Sequence, residues 1–316
     1  MLHRITCQAA LAALALLPLG ALAAPFAYVP NEKSGSVSVI DTAQDVVLQT
    51  LEVSERPRGI AVAPDGSRLF LTDSPTRSLV VVDLDSGKPV ASWPLGESPE
   101  GLYISTDGKL LAAAVEEDNS VALLQASDGK TLAHIKVEGE NPEHAVFSPD
   151  SKWLYVSAED AEQVDVIDVA ARKQVGRIPV GKRPRGIGFT PDGSRAYVAC
   201  EIASTVYAID VASHKVLATI PAGKFSNGIA ITPDGKRVFV SNGKDGTVMA
   251  IDPATNTVIG TIPVGKRPWN MAITPDGSKL YVANGRSDSV SVIDTEKLVA
   301  LKDITVGSFP WGVVIK

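Results

Sequence analysis

The chain has 316 residues, 45% apolar and 21% charged, a balance that excludes a disordered tail protein and allows one or two folded domains. A formal charge of −6, from 30 basic and 36 acidic residues, leaves no basic footprint for duplex nucleic acid. The 26 glycines and 21 prolines fall at regular intervals, which excludes long helices.

Residues 1–23 read as a cleavable secretory signal, with Arg4 in a short basic start, an apolar run from Ala9 to Leu17, and Ala21-Leu22-Ala23 as a small-x-small cleavage site. The run is shorter than the ~20 residues a membrane span needs, so the mature chain, 24–316, is expected in the periplasm without a span. Cys7 would leave with the signal. Cys200 is then the only thiol, and no internal disulfide can form.

Beyond Phe26 the chain repeats itself. A turn close to Pro-Asp-Gly returns at Asp65, Asp107, Asp150, Asp192, Asp234 and Asp276, a period of about 42 residues in which the step from Asp107 to Asp150 is one residue longer. An alternating Val-x-Val-Ile-Asp segment ends at Asp41, Asp83, Gln125, Asp168, Asp210, Asp252 and Asp294, which marks seven units. Each unit predicts four short strands, as in Gly59 to Ala63, Arg68 to Thr72, Leu79 to Asp83 and Pro89 to Leu95. Four strands at this period predict an all-β fold: a single seven-bladed propeller spanning 24–316. The first unit starts at its second strand, Phe26 to Pro30, and Trp311 to Lys316 matches the missing first strand, so the C-terminus is expected to complete the N-terminal blade. Tyr28, Phe70, Tyr155, Tyr197, Phe239 and Tyr281 share one strand position and are expected to pack between blades, with Ala112 the gap in the series. The recurrent aspartates read as turn formers.

Tyr28-Val29-Pro30-Asn31, Tyr197-Val198-Ala199-Cys200 and Tyr281-Val282-Ala283-Asn284, each followed by a Val-x-x-Ile-Asp strand and a Pro-Asp-Gly turn, resemble the YVTN-repeat β-propellers over all seven units. With the leader and the closing strand, the chain is similar to the subgroup called PQQ-dependent catabolism-associated β-propeller proteins. That resemblance implies a periplasmic accessory role beside quinoprotein alcohol oxidation.

Motifs for familiar chemistry are missing. Covalent haem needs Cys-x-x-Cys-His, and a lone Cys200 supports neither structural zinc nor an iron–sulfur cluster. There is no Gly-x-Ser-x-Gly elbow and no phosphate-binding glycine loop. Cys200 stands where Asn31, Asn242 and Asn284 stand in other units and reads as a small, partly buried residue, while His134 and His214 read as solvated.

Function is sought where seven loops converge on the innermost strands. The residue after the loop proline, or after Ser226, reads Trp311, Arg58, Glu100, Glu143, Arg185, Asn227 and Trp269 around the ring. The next position reads Gly59, Gly101, His144, Gly186, Gly228, Asn270 and Gly312, with glycine expected where backbones crowd the channel and His144 expected to project into or over the opening. The added residue of the long step lies beside His144. On the structural reading, Arg58 with Glu100 and Arg185 with Glu143 are exposed pairs that neutralise one another while the tryptophans cap the core. On the functional reading, Trp269 and Trp311 stack on a flat or aromatic group while Arg58 and Arg185 bind a carboxylate.

A metal reading takes Glu100, Glu143 and His144, with Glu116 or Glu159, as ligands of a divalent ion that would hydrolyse a lactone; the flanking arginines count against it, and no other cofactor is expected. The same face divides by charge, with Glu116, Glu117, Asp118, Glu140, Glu159, Asp160 and Glu201 in one sector and Lys182, Arg183, Lys266 and Arg267 in another. Such a divided field can orient a protein partner. The expected function is therefore a non-enzymatic docking propeller for a quinoprotein dehydrogenase, cytochrome or transport component. The alternative is a metal-dependent, lactonase-like hydrolase, and ranked below it is single-stranded nucleic acid on the basic loops.

Overall fold

The computed structural model describes residues 25–316, and the expected signal segment lies outside them. Seven four-stranded antiparallel sheets form the blades of an all-β propeller. Among the described residues the sole helical element is a short 3-10 turn, Glu159–Ala161, and no helix is long and apolar enough to cross a membrane. Blade 2 shows the plan, with Pro57–Val62 innermost, then Arg68–Asp73 and Ser78–Asp83, and Lys88–Pro94 at the rim. Its inner strands are buried on both faces and its rim strand is mostly exposed. Apolar β-branched runs therefore fill the middle of each blade, while solvent sees the rim.

Turns are held by the recurrent aspartates. Asp65 Oδ1 accepts the Ser67 N–H at 3.0 Å, and Asp41 Oδ1 accepts the Ala43 N–H at 2.7 Å. Each carboxylate thus fixes a local loop, as expected of Asx turns.

The core lies between blades. Tyr197, Val206 and Ile220 of blade 5 pack on Val238, Val240 and Met249 of blade 6, and the other blade pairs repeat the arrangement. The buried tyrosines also reach a turn residue of the next blade: Tyr155 Oη meets His214 Nδ1 at 2.7 Å, and Tyr197 donates to Asn256 Oδ1 at 3.1 Å. His214 is consequently half-buried, with its ring edge-on to Trp153 at 4.9 Å, and not the solvated side chain expected. Burial of Cys200 is complete and pushes its thiol up to about 12, so it is inert packing.

Ring closure follows the expected topology. Val314–Ile315 pairs antiparallel with Phe26–Asn31, completing blade 1. The regular strand is shorter than the expected Trp311 to Lys316; upstream the contact continues through the Asn31–Pro310 bridge and backbone bonds from Trp311 N–H to Pro30 O at 2.9 Å and from Glu32 N–H to Phe309 O at 3.0 Å. A side-chain latch joins blades 7 and 1 as well: Asp45 accepts from Lys279 Nζ at 2.8 Å and from Tyr281 Oη.

Deleting Gly312–Lys316 removes buried Val313 and the closing ladder, and should lower stability by about 3 kcal/mol or more. Asp45→Ala should cost about 1–3 kcal/mol because the buried Tyr281 hydroxyl loses its carboxylate. Urea unfolding followed by far-UV circular dichroism checks both, and a truncated chain with an unchanged midpoint would refute the closure.

Candidate active site at the channel mouth

Six of the seven innermost strands begin with a register break against their neighbour. Pairing jumps from Pro57 to Ile60, Pro99 to Leu102, Pro184 to Ile187, Ser226 to Ile229 and Pro268 to Met271. The skipped residues include Arg58, Glu100, Arg185, Asn227 and Trp269, so a β-bulge in each of these blades releases its candidate side chain from the sheet. In blade 4 the same one-residue bulge falls between Pro142 and His144, with Glu143 the bulged residue and His144 opposite Ser157. The glycines at the second position are obligatory: a Cβ on Gly101 would lie 2.7 Å from Glu143 O, and one on Gly59 would strike Glu100 O.

Eight of the nine candidates, Arg58, Glu100, Glu143, Arg185, Asn227, Trp269, Asn270 and Trp311, line one cavity of about 500 Å³. His144 does not; it is 1% exposed and lies outside the cavity lining, with Nδ1 2.8 Å from Tyr103 Oη. It faces the channel but is covered there by Trp311, so it does not stand over the opening. Nor do the two tryptophans form one stacking pair. Trp311 lies 5.8 Å from the His144 ring, whereas Trp269 sits against Phe309 at 5.1 Å, over Gly285.

The charged arc is paired throughout, in two ion-pair groups. Arg58 bonds Glu100 through Nη1 and Glu32 through Nη2, the latter at 3.2 Å. Arg185 Nη1 lies 3.0 Å from Glu143 and also meets Glu159, while Arg183 Nε donates to Glu159 at 2.9 Å. Arg267 Nη2 donates to Glu201 at 2.6 Å. These are not the exposed pairs of the structural reading: Glu32, Glu100, Glu143, Glu159 and Glu201 are all buried. Buried carboxylates need such partners. Glu32 and Phe309 were missed from the sequence. The signal for Glu32 was present, since the position after each second strand reads Glu32, Ser74, Glu116, Glu159, Glu201, Gly243 and Gly285.

Crowding divides the two central carboxyls. Burial and the neighbouring Glu143 push Glu100 up to about 8 despite Arg58. Burial also opposes ionisation of Glu143, but Arg185 and Arg58 outweigh it and hold this carboxyl below its usual range. Burial lowers His144 to about 4, so its imidazole is neutral at pH 7. One carboxylic acid and one carboxylate therefore stand side by side at neutral pH, the arrangement that assigns separate acid and base roles.

The metal set Glu100, Glu143 and His144 does not fit a cation. Arg58 and Arg185 occupy the carboxylates, Tyr103 occupies His144 Nδ1, and no group of three His, Cys, Asp or Glu residues among the described ones is arranged to hold an ion.

Two family models match the chain, one to each half: the SMP-30/gluconolactonase/LRE-like region at residues 23–160 and the seven-bladed β-propeller lactonase at residues 169–305. No curated protein matches. Among solved structures, a putative 6-phosphogluconolactonase from Bacteroides fragilis is 22% identical with a TM-score of 0.79, covering 95% of this chain and 99% of that one. A second, from Bacteroides uniformis, is 20% identical with a TM-score of 0.76 and covers 92% and 99%. A hydrazine synthase of Kuenenia stuttgartiensis is 24% identical with a TM-score of 0.78 and covers 85% and 92%. At these identities the structures share the fold. The lactonase and gluconolactonase matches overturn the expectation of a non-enzymatic docking propeller and favour its hydrolase alternative.

A carboxyl raised by folding stabilises the fold while protonated, fully so below its unfolded value, and that contribution is lost as pH rises through about 8. The wild-type melting temperature should therefore fall between about pH 5 and 8 and level off above, and Glu100→Gln should flatten that fall. Calorimetry across this range checks it, and parallel curves for the two proteins would contradict the assignment.

Proposed function

We propose that the chain is a hydrolase of small lactones that works through the Glu100 and Glu143 pair at the channel mouth. The observation that carries this reading is geometric: two adjacent buried carboxyls, each held by its own arginine, open into one cavity. The match to lactonase and gluconolactonase models supports it.

The chemistry follows from the protonation states. Glu143, ionised, takes a proton from water as the oxygen attacks the lactone carbonyl. Negative charge grows on the carbonyl oxygen and is met by guanidinium N–H groups. Arg58 Nε, buried and without a protein partner, is a donor left free for this purpose. The tetrahedral centre collapses, the ring C–O bond breaks, and protonated Glu100 gives its proton to the departing alkoxide. A hydroxy acid results, and proton return from Glu143 to Glu100 restores the pair. No step is routed through a metal, in line with the occupied donor set. Trp269 and Phe309 offer an apolar wall for the carbon face of the ring, and the amides of Asn227 and Asn270 can meet its polar substituents.

The YVTN-like repeats and the leader extend the reading to an exported enzyme. The resemblance to PQQ-associated propellers is compatible with it, since oxidation of a cyclic hemiacetal yields a lactone and a neighbouring hydrolase would consume it.

Turnover of a panel of neutral lactones is the test. Glu143→Gln and Glu100→Gln should each lower kcat by about 10²–10⁴-fold with the fold intact. The wild-type rate should hold across neutral pH and fall above about 8 as Glu100 loses its proton. Absence of turnover on every lactone, or full activity in Glu143→Gln, would refute the proposal.

A further inference from the structure

A second cavity, of about 730 Å³, opens between blades 6 and 7 beside the channel mouth. Arg286 lines both cavities. Its composition follows from two breaks in the repeat. The ring position that supplies Glu32, Glu116, Glu159 and Glu201 elsewhere is glycine at 243 and 285, and the residue after it is Lys244 and Arg286 where blades 3 and 4 carry Glu117 and Asp160. Two carboxylates are thus removed and two cations added at one place.

The remaining lining reinforces the imbalance. Lys266 joins Lys244 and Arg286, and none of the three has a carboxylate within ion-pair distance among the described residues. Arg267 holds Glu201, and its guanidinium and Lys244 Nζ lie over the Phe225 ring at 5.0 and 5.4 Å. Phe225 takes a left-handed backbone, φ 59°, which is unfavourable for a bulky residue. The lining has one carboxylate, Asp245, whose Oδ2 accepts the Lys224 N–H at 2.7 Å. Ser287 Oγ accepts the Lys266 N–H at 2.6 Å, leaving its own proton to donate. Three exposed cations gathered in one lining with a single carboxylate repel one another, and a bound anion relieves that repulsion.

We infer that the cavity between blades 6 and 7 binds a compact oxyanion, a phosphate or carboxylate group, through Lys244, Lys266 and Arg286. Lysine supplies point charges and the Arg286 fork supplies paired N–H donors. The anion is either free in solution or a substituent of the lactone, reached past Arg286 from the mouth. Only the second source rests on the hydrolase reading.

Calorimetric titration with inorganic phosphate at fixed ionic strength tests binding directly. The combined Lys244→Ala, Lys266→Ala and Arg286→Ala variant is compared with a charge-matched control, Lys130→Ala, Lys173→Ala and Lys215→Ala, altered at exposed lysines elsewhere. Wild type and control should bind alike, and the site variant about tenfold or more weakly. Equal binding by all three, or no binding by wild type, would overturn the inference even if lactones are hydrolysed. A second arm compares a neutral lactone with one bearing a phosphate or carboxylate. A raised KM for the charged lactone alone, with kcat unchanged, places the anion on the substrate. Unchanged KM values alongside lost phosphate binding place it in solution. Failure of all lactone turnover would sink the hydrolase reading and leave the phosphate titration standing.

Discussion

Seven backbones must meet around one narrow channel, and most of the molecule's chemistry follows from that crowding. At the mouth the carbonyl of a bulge can approach the preceding blade so closely that a Cβ does not fit, as between Glu143 and Gly101. The strands respond with a bulge, which turns one side chain per blade out of the sheet and toward its counterparts. Hydroxyls stitch the same region: Thr72 Oγ1 accepts the Gly59 N–H and donates to Glu100 O of the next blade. The site is therefore built on rigid sheet ends, which suits groups that must be held in fixed relation.

Crowding also sets the electrostatics. Two carboxyls brought together away from water cannot both ionise cheaply, so the surroundings decide which keeps its proton. Arg185 and its neighbours favour charge on Glu143, and Glu100, deeper in the balance of burial over compensation, retains the acid form. The pair titrates as a unit, with the proton residing mainly on Glu100.

Repetition made the fold legible. Pro-Asp-Gly turns, the strand-ending aspartates and the unmatched terminal strands were enough to count blades and to pair the ends of the chain. Comparing one position across units also found most of the mouth, because departures from a repeat cannot be required by the scaffold alone. What escaped was contact across the channel and between units. Nothing in spacing tells that Trp311 reaches His144, or that the Tyr103 hydroxyl meets its imidazole. His214 was misjudged for the same reason, since its partners Tyr155 and Trp153 are distant in sequence. Glu32 was missed because only the ring after the loop proline was compared.

Closure by the C-terminal segment has a further bearing on when the site exists. Phe309 and Trp311 form part of the cavity wall, and they lie just ahead of the strand that pairs with Phe26–Asn31. That pairing joins residues almost a full chain apart, the kind of contact that forms late because its loop-closure entropy must be met first. An open ring would hold Arg58, Glu100 and Glu143 on their blades yet lack one side of the cavity. Completeness of the pocket is thereby tied to completeness of the fold, and a partly assembled chain presents its carboxyls to open solvent, where burial no longer sets them apart.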